Sequence, residues 1–152
     1  MPERVYECSK AESEELKKAL SYDPFLDTNT LPPQIKPADP ANPTPEEKAA
    51  MEERERQVAE TLRKLESSPK GRIIFARQEY SLRDGASVGL NKDMVYLFLS
   101  APEDFIKGAE ERFSTEFKTI RRAQEAEEDK VIGVVKEEEE KANAGFGSIF
   151  GG

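Results

Sequence analysis

The chain has 152 residues, 36% hydrophobic and 36% charged, with a formal net charge of −8, which leaves room for one domain with a real core in an otherwise hydrophilic protein. It contains no histidine and a single cysteine, Cys8. That composition excludes imidazole general bases, Ser-His-Asp and Cys-His systems, histidine metal ligands and an internal disulfide.

Residues 1–10 carry charges and no long apolar stretch, so no signal peptide is expected there, and no apolar run approaches the length that spans a bilayer. A lone cysteine points to a reducing compartment, and a cytoplasmic location is expected. The charge is uneven: both ends are acidic and residues 68–122 are mildly basic. Acidic ends repel phosphate backbones, while the middle stays open to a local anion site.

Residues 4–8 read as a short strand. Ser9 with Glu12 three residues later matches a capping box, and Leu16, Ala19 and Leu20 give the helix that follows, to about Tyr22, one apolar stripe. Residues 23–45 hold seven of the ten prolines, which removes backbone donors and favours extended polyproline conformation. This segment is either a mobile linker or an arm anchored by Phe25, Leu26, Leu31 and Ile35. Thr44-Pro45-Glu46-Glu47 is a strong helix start, and Met51, Val58, Leu62 and Leu65 recur at helical spacing to about Glu66. Ser67-Ser68-Pro69-Lys70-Gly71 ends that helix.

Residues 72–82 and 94–99 are the best strand candidates and predict an antiparallel hairpin. Its loop, residues 83–92, is polar, glycine-containing and flanked by cations. The spacing fits neither a phosphate-binding loop nor a dinucleotide fingerprint, so a long hairpin turn accounts for it. Pro102 opens a helix with Phe105, Ile106, Ala109 and Phe113 on one face. Residues 117–122 alternate as a strand, and a helix from about Glu125 to Ala144 carries Val131, Ile132, Val135 and Ala142. Gly145-Phe146-Gly147 is expected to end it.

In order, these elements predict an α+β protein with a ferredoxin-like βαββαβ core, a proline-rich insert, an extra helix and a C-terminal acidic helix. The segments are 1–22, 23–45, 46–123 and 124–152. The alternative reads residues 102–144 as one helix, giving a helix, hairpin and long helix.

Period two puts Val95, Leu97 and Leu99 on one face of their strand and Met94, Tyr96, Phe98 and Ser100 on the other. If that second face is open, Tyr96 and Phe98, with Phe75 and the cations Arg77 and Arg121 nearby, form a surface that could stack bases. The competing reading covers these aromatics with a helix or a second subunit. The acidic runs, residues 125–129 and 137–140, wrap round a helix instead of converging, so a solvated face is expected and no metal site. Phe146, Ile149 and Phe150 lie among glycines, where they gain nothing from water unless they dock.

The expected function is therefore a non-catalytic protein-interaction module, a regulatory or assembly factor with a protein partner or a second copy, no cofactor and no membrane. Nucleic-acid binding through the open sheet face is the alternative. An enzyme is the weakest of the three readings, because no catalytic constellation emerges. The candidate binding residues are Phe75, Arg77, Tyr96, Phe98, Arg121, Phe146, Ile149 and Phe150.

Overall fold

The computed structural model describes residues 1–149, with side chains as far as Ala144. Its chain divides into two units, one formed by Met1–Tyr22 with the chain from Phe75 onward, the other by Asp23–Ile74.

The first unit is built on a four-stranded sheet of order β2-β3-β1-β4, in which every neighbouring pair is antiparallel. Its strands are β1 (Glu3–Ser9), β2 (Glu79–Asp84), β3 (Met94–Ser100) and the two-residue β4 (Arg121–Arg122). Its helices are α1 (Ser13–Ser21), α4 (Glu103–Glu116) and α5 (Glu125–Ile149). The two remaining helices, α2 (Pro45–Ser67) and the single turn α3 (Pro69–Arg72), belong to the second unit. The protein is thus a mixed α+β protein, and among the described residues no helix is long and apolar enough to cross a membrane.

The β3 pattern sorts the sheet faces as period two requires. Register aligns Leu97 and Leu99 with Tyr6 and Arg4 on β1 and with Leu82 and Tyr80 on β2. On this side Phe113 of α4 meets Tyr6 edge to face at 5.1 Å, and Phe75 stacks on Phe113 at 5.2 Å. The turn Phe75–Arg77 lies against α1, whose Leu16 and Leu20 are buried. The opposite face presents Val5, Tyr96 and Phe98, and α5 fills it with Val131 and Val135. Each such side chain, fully buried, contributes roughly 1.5–3 kcal/mol.

Several expectations are corrected. The first hairpin strand begins at Glu79, not residue 72. Ser68 caps α3 by accepting from the Gly71 amide at 3.2 Å, and the apolar Phe75 is spent in a 3-10 turn of the core. Residues 117–120 are not strand; only Arg121 and Arg122 pair, with Glu7 and Tyr6. The single helix over residues 102–144 does not form: α4 stops at Glu116, Phe117 is extended, and β4 intervenes before α5. The last helix does not stop at Gly145-Phe146-Gly147 but continues to Ile149. Glycine costs a helix only about 1 kcal/mol relative to alanine and does not block it as proline does. The capping box at Ser9 is half made. Ser9 accepts from the Ala11 amide at 3.4 Å, but Glu12 turns away and binds Lys118 and Thr119.

In the second unit, α2 starts with the full capping box foreseen. Thr44 accepts from the Glu47 amide at 3.1 Å, and Glu47 accepts from the Thr44 amide at 3.0 Å. The proline-rich segment lies along this helix. Glu47 also accepts from the Ala38 amide at 2.9 Å, and Arg54 donates to the Pro33 carbonyl at 3.1 Å. These amides hold the Glu47 carboxyl below the ordinary carboxylate range.

Candidate functional site

Of the two readings of the sheet face carrying Tyr96 and Phe98, open or covered by a helix or a second subunit, the structure has the covered one. Tyr96 and Phe98 are 0% and 2% exposed, inside one cluster with Val5, Val88, Ala123, Val131 and Val135. The physical reason is the stripe on α5. Val131 and Val135 are four residues apart, so they lie one turn above the other and seat on the same patch of sheet. The Tyr96 hydroxyl donates to Glu127 of the same helix at 2.8 Å. Burial first, then that hydrogen bond, pushes the phenol up to about 12.

The remaining candidate residues are not gathered on this face. Phe75 is buried on the opposite one, with Phe113 stacked on it, Phe105 edge-on at 5.7 Å and the Arg112 guanidinium 5.1 Å from its ring centre. Arg77 ends the same turn and is exposed. Arg121 stands on β4 and is ion-paired to Glu7, its cross-strand neighbour. Phe146 and Ile149 fall within the α5 backbone, their side chains outside the described residues; Phe150 lies outside them altogether.

Two carboxylates that sequence reasoning did not single out for this role hold β4 in place. Glu128 accepts from the Val5 amide at 3.0 Å and from both Nε and Nη2 of Arg122, at 3.0 and 2.9 Å. Burial opposes its charge, but Arg122 and the Val5 amide outweigh that, and its carboxyl stays below the ordinary range. Glu12 accepts from the Lys118 and Thr119 amides at 2.9 and 2.8 Å and from the Thr119 hydroxyl, and its carboxyl is likewise lowered. A two-residue strand has too few ladder bonds to hold itself, and these charge-assisted bonds supply the remainder. Beside β4 a cleft of about 300 Å3 is floored by Tyr6, Phe113 and Ile120. Tyr6 donates across it to Glu110 at 2.9 Å, and burial, reinforced by this bond, raises its phenol well above the ordinary range.

Cys8 is buried. Burial is the main influence raising its thiol, against a bond with Thr119, so it is held as a neutral thiol with little nucleophilic character. The loop between β2 and β3 holds a 3-10 turn, Gly85–Val88. Gly89 adopts φ +71, a conformation that favours glycine, and its carbonyl accepts from Lys130 of α5 at 3.1 Å.

A third region lies at the other edge of the sheet. There a groove of about 290 Å3 runs between β2 and α5, bordered by Glu79, Arg83, Glu138 and Glu139. Arg83 is ion-paired to Glu138. Glu79 is held above the ordinary carboxylate range, chiefly by its hydrogen bond with Glu139, then by burial and by the Glu139 charge. The acid run on α5 is visible in the sequence, but that β2 is an edge strand beside it follows only from the sheet order. Comparison of the chain with family models, with curated proteins and with solved structures finds no match.

Proposed function

We propose that this protein is a non-catalytic protein-interaction module, a regulatory or assembly factor, whose working surface is the acidic flank of α5. The observation that carries this reading is the course of α5 beyond its packed part. Val135 is its last buried position among the described residues; residues 136–144 are all exposed, with Glu137, Glu138, Glu139 and Glu140 consecutive. Lys141 pairs with Glu137 at 3.3 Å and Arg83 with Glu138, yet the run keeps an excess of negative, mutually repelling charge on an unpacked face, and a helix gains most of its stability from a packed face. A partner with lysines or arginines at its rim would relieve the repulsion and give the helix end a face to bury.

The ferredoxin-like βαββαβ reading of the core is part of this proposal. It is supported by the order β2-β3-β1-β4, by α1 in the first crossover and by α4 in the second, with α2 and α3 as additions to the first. A cytoplasmic location is also part of it, supported by the free thiol of Cys8. The nucleic-acid alternative, through Arg77, Tyr96, Phe98 and Arg121, would require α5 to leave the sheet.

Affinity capture from the native cell extract, run in parallel with the wild type and a Glu137→Lys/Glu140→Lys variant, tests the reading. A protein retained by the wild type, lost by the variant and weakened by salt is the expected result. Identical retained sets would overturn it. Retention of RNA or DNA with steep salt dependence would favour the nucleic-acid alternative.

A further inference from the structure

The two edges of the sheet are finished differently. At the β1 edge the chain protects itself. β4 pairs with Tyr6 and Glu7, Glu128 takes the Val5 amide, the Val5 carbonyl accepts from Ala123 at 2.9 Å, and Thr119 takes the Ser9 amide at 3.1 Å. At the β2 edge no further strand pairs among the described residues: β2 pairs with β3 alone. It runs six residues, Glu-Tyr-Ser-Leu-Arg-Asp, without proline or lysine; its one interior charge, Arg83, is neutralised by Glu138. In a paired strand every second residue turns its amide and carbonyl outward, so this edge presents a row of donors and acceptors.

Register gives that edge a side. Glu79, Ser81 and Arg83 pair with Ser100, Phe98 and Tyr96, so they share the sheet face that α5 covers. The groove between β2 and α5 therefore lies on that face, with Phe98, Val135 and Ala142 contributing apolar surface and Glu79 and Glu139 acidic rims. The charges there are unequal. Arg83 is already paired with Glu138, and Lys136, which also lies within the field of Glu139, is paired with Glu3 at 2.9 Å, whereas Glu79 and Glu139 both border the groove with no ion pair of their own among the described residues. A strand laid beside β2 would send alternate side chains up into this groove, where Glu79 and Glu139 offer two carboxylates to a cation.

We propose that the β2 edge accepts an extended basic segment of a partner protein, which adds as a fifth strand and inserts a lysine or arginine between Glu79 and Glu139. This deepens the interaction-module reading and rests on it; it names the partner's conformation and charge. Main-chain pairing gives such a complex its affinity, and the alternate side chains in the groove give it specificity. A second copy of this chain fits less well, since pairing two β2 strands would bring two acidic helices toward each other.

The test uses the full chain, labelled for amide NMR, and a synthetic peptide of alternating lysine and valine. The control peptide has the same side chains and charge but a fully N-methylated backbone. Expected are shifts centred on Glu79–Asp84, binding at least about tenfold weaker for the N-methylated peptide, and binding about fivefold weaker for Glu79→Gln/Glu139→Gln. Both substituted side chains are at the surface, and an unchanged circular dichroism spectrum verifies that the variant folds. Equal binding of the two peptides, or shifts confined to the outer face of α5, would overturn strand addition while leaving an acidic interaction surface in place. Absence of binding by either peptide would also overturn it, and the capture experiment above then decides the broader reading alone.

Discussion

Two long helices of this protein, α2 with 23 residues and α5 with 25, stand on different physical footings. Helix α5 buries Val131 and Val135 against Val5, Tyr96 and Phe98, and its first half belongs to a core. Helix α2 has no buried residue. It is sustained by its capping box, by the ion pairs Arg56–Glu53 and Lys64–Glu60, and by the proline-rich segment along it. Exposed pairs of this kind contribute only about 0.3–0.5 kcal/mol each. The comparison teaches that helix length in this chain is no guide to stability. Burial decides it, and local bonds only set where a helix begins.

The largest effect should come from the sheet. Leu97 is 0% exposed, and Leu97→Ala should cost about 2–5 kcal/mol in chemical denaturation, whereas Leu62→Ala on the half-buried stripe of α2 should cost less than about 1 kcal/mol. Similar losses at the two sites would break the distinction.

Next comes the clamp on β4. Glu128→Gln should cost about 1.5–3 kcal/mol, because bonds from a guanidinium and an amide to a charged carboxylate are weakened together. The carboxyl of Glu128 is depressed in the fold, so its contribution is present above the ordinary value of 4.5 and is lost as pH falls through the folded value. Denaturation midpoints should decline in acid for the wild type and decline less for the variant; parallel curves would exclude the clamp. Tyr96 acts in the opposite sense. Its raised phenol contributes stability below pH 10.0, lost as pH climbs toward about 12, and Tyr96→Phe should flatten that alkaline limb.

Smaller still is the cap of α2. Thr44→Ala should cost about 1 kcal/mol, read as lost helix signal with the sheet unchanged. The smallest effect is a gain. A methyl group at Gly133 meets nothing within 4 Å on the exposed side of α5, so Gly133→Ala should stabilise by about 0.5–1 kcal/mol. A loss there would mean that this side of the helix is covered.

How much of this was legible in the sequence follows the range of each interaction. Period-two alternation in residues 94–100 sorted the β3 faces correctly, and Thr44 with Glu47 announced the start of α2, because both are local signals. The role of Glu12 was hidden, since its partners Lys118 and Thr119 lie more than a hundred residues away and its spacing from Ser9 suggested a cap. The same limit applies to Tyr96 and Phe98: alternation gives their face, but only the packing of α5 shows what lies over it. Residues 72–78 misled as strand because β-branched and aromatic composition signals burial as much as extension, and Phe75 is buried from a turn. The β2 groove could not be read at all, as a strand becomes an edge only once its neighbours are known.

The most direct test of the central claim, that α5 closes the aromatic face of the sheet while α2 stands on local bonds, is native-state hydrogen exchange along the whole chain. Exchange should be slowest in β1, β3 and residues 125–135 of α5, and much faster across α2 and the proline-rich segment, with residues 136–144 intermediate or fast. If residues 125–135 exchange as fast as α2, the aromatic face is open in solution and the account is wrong.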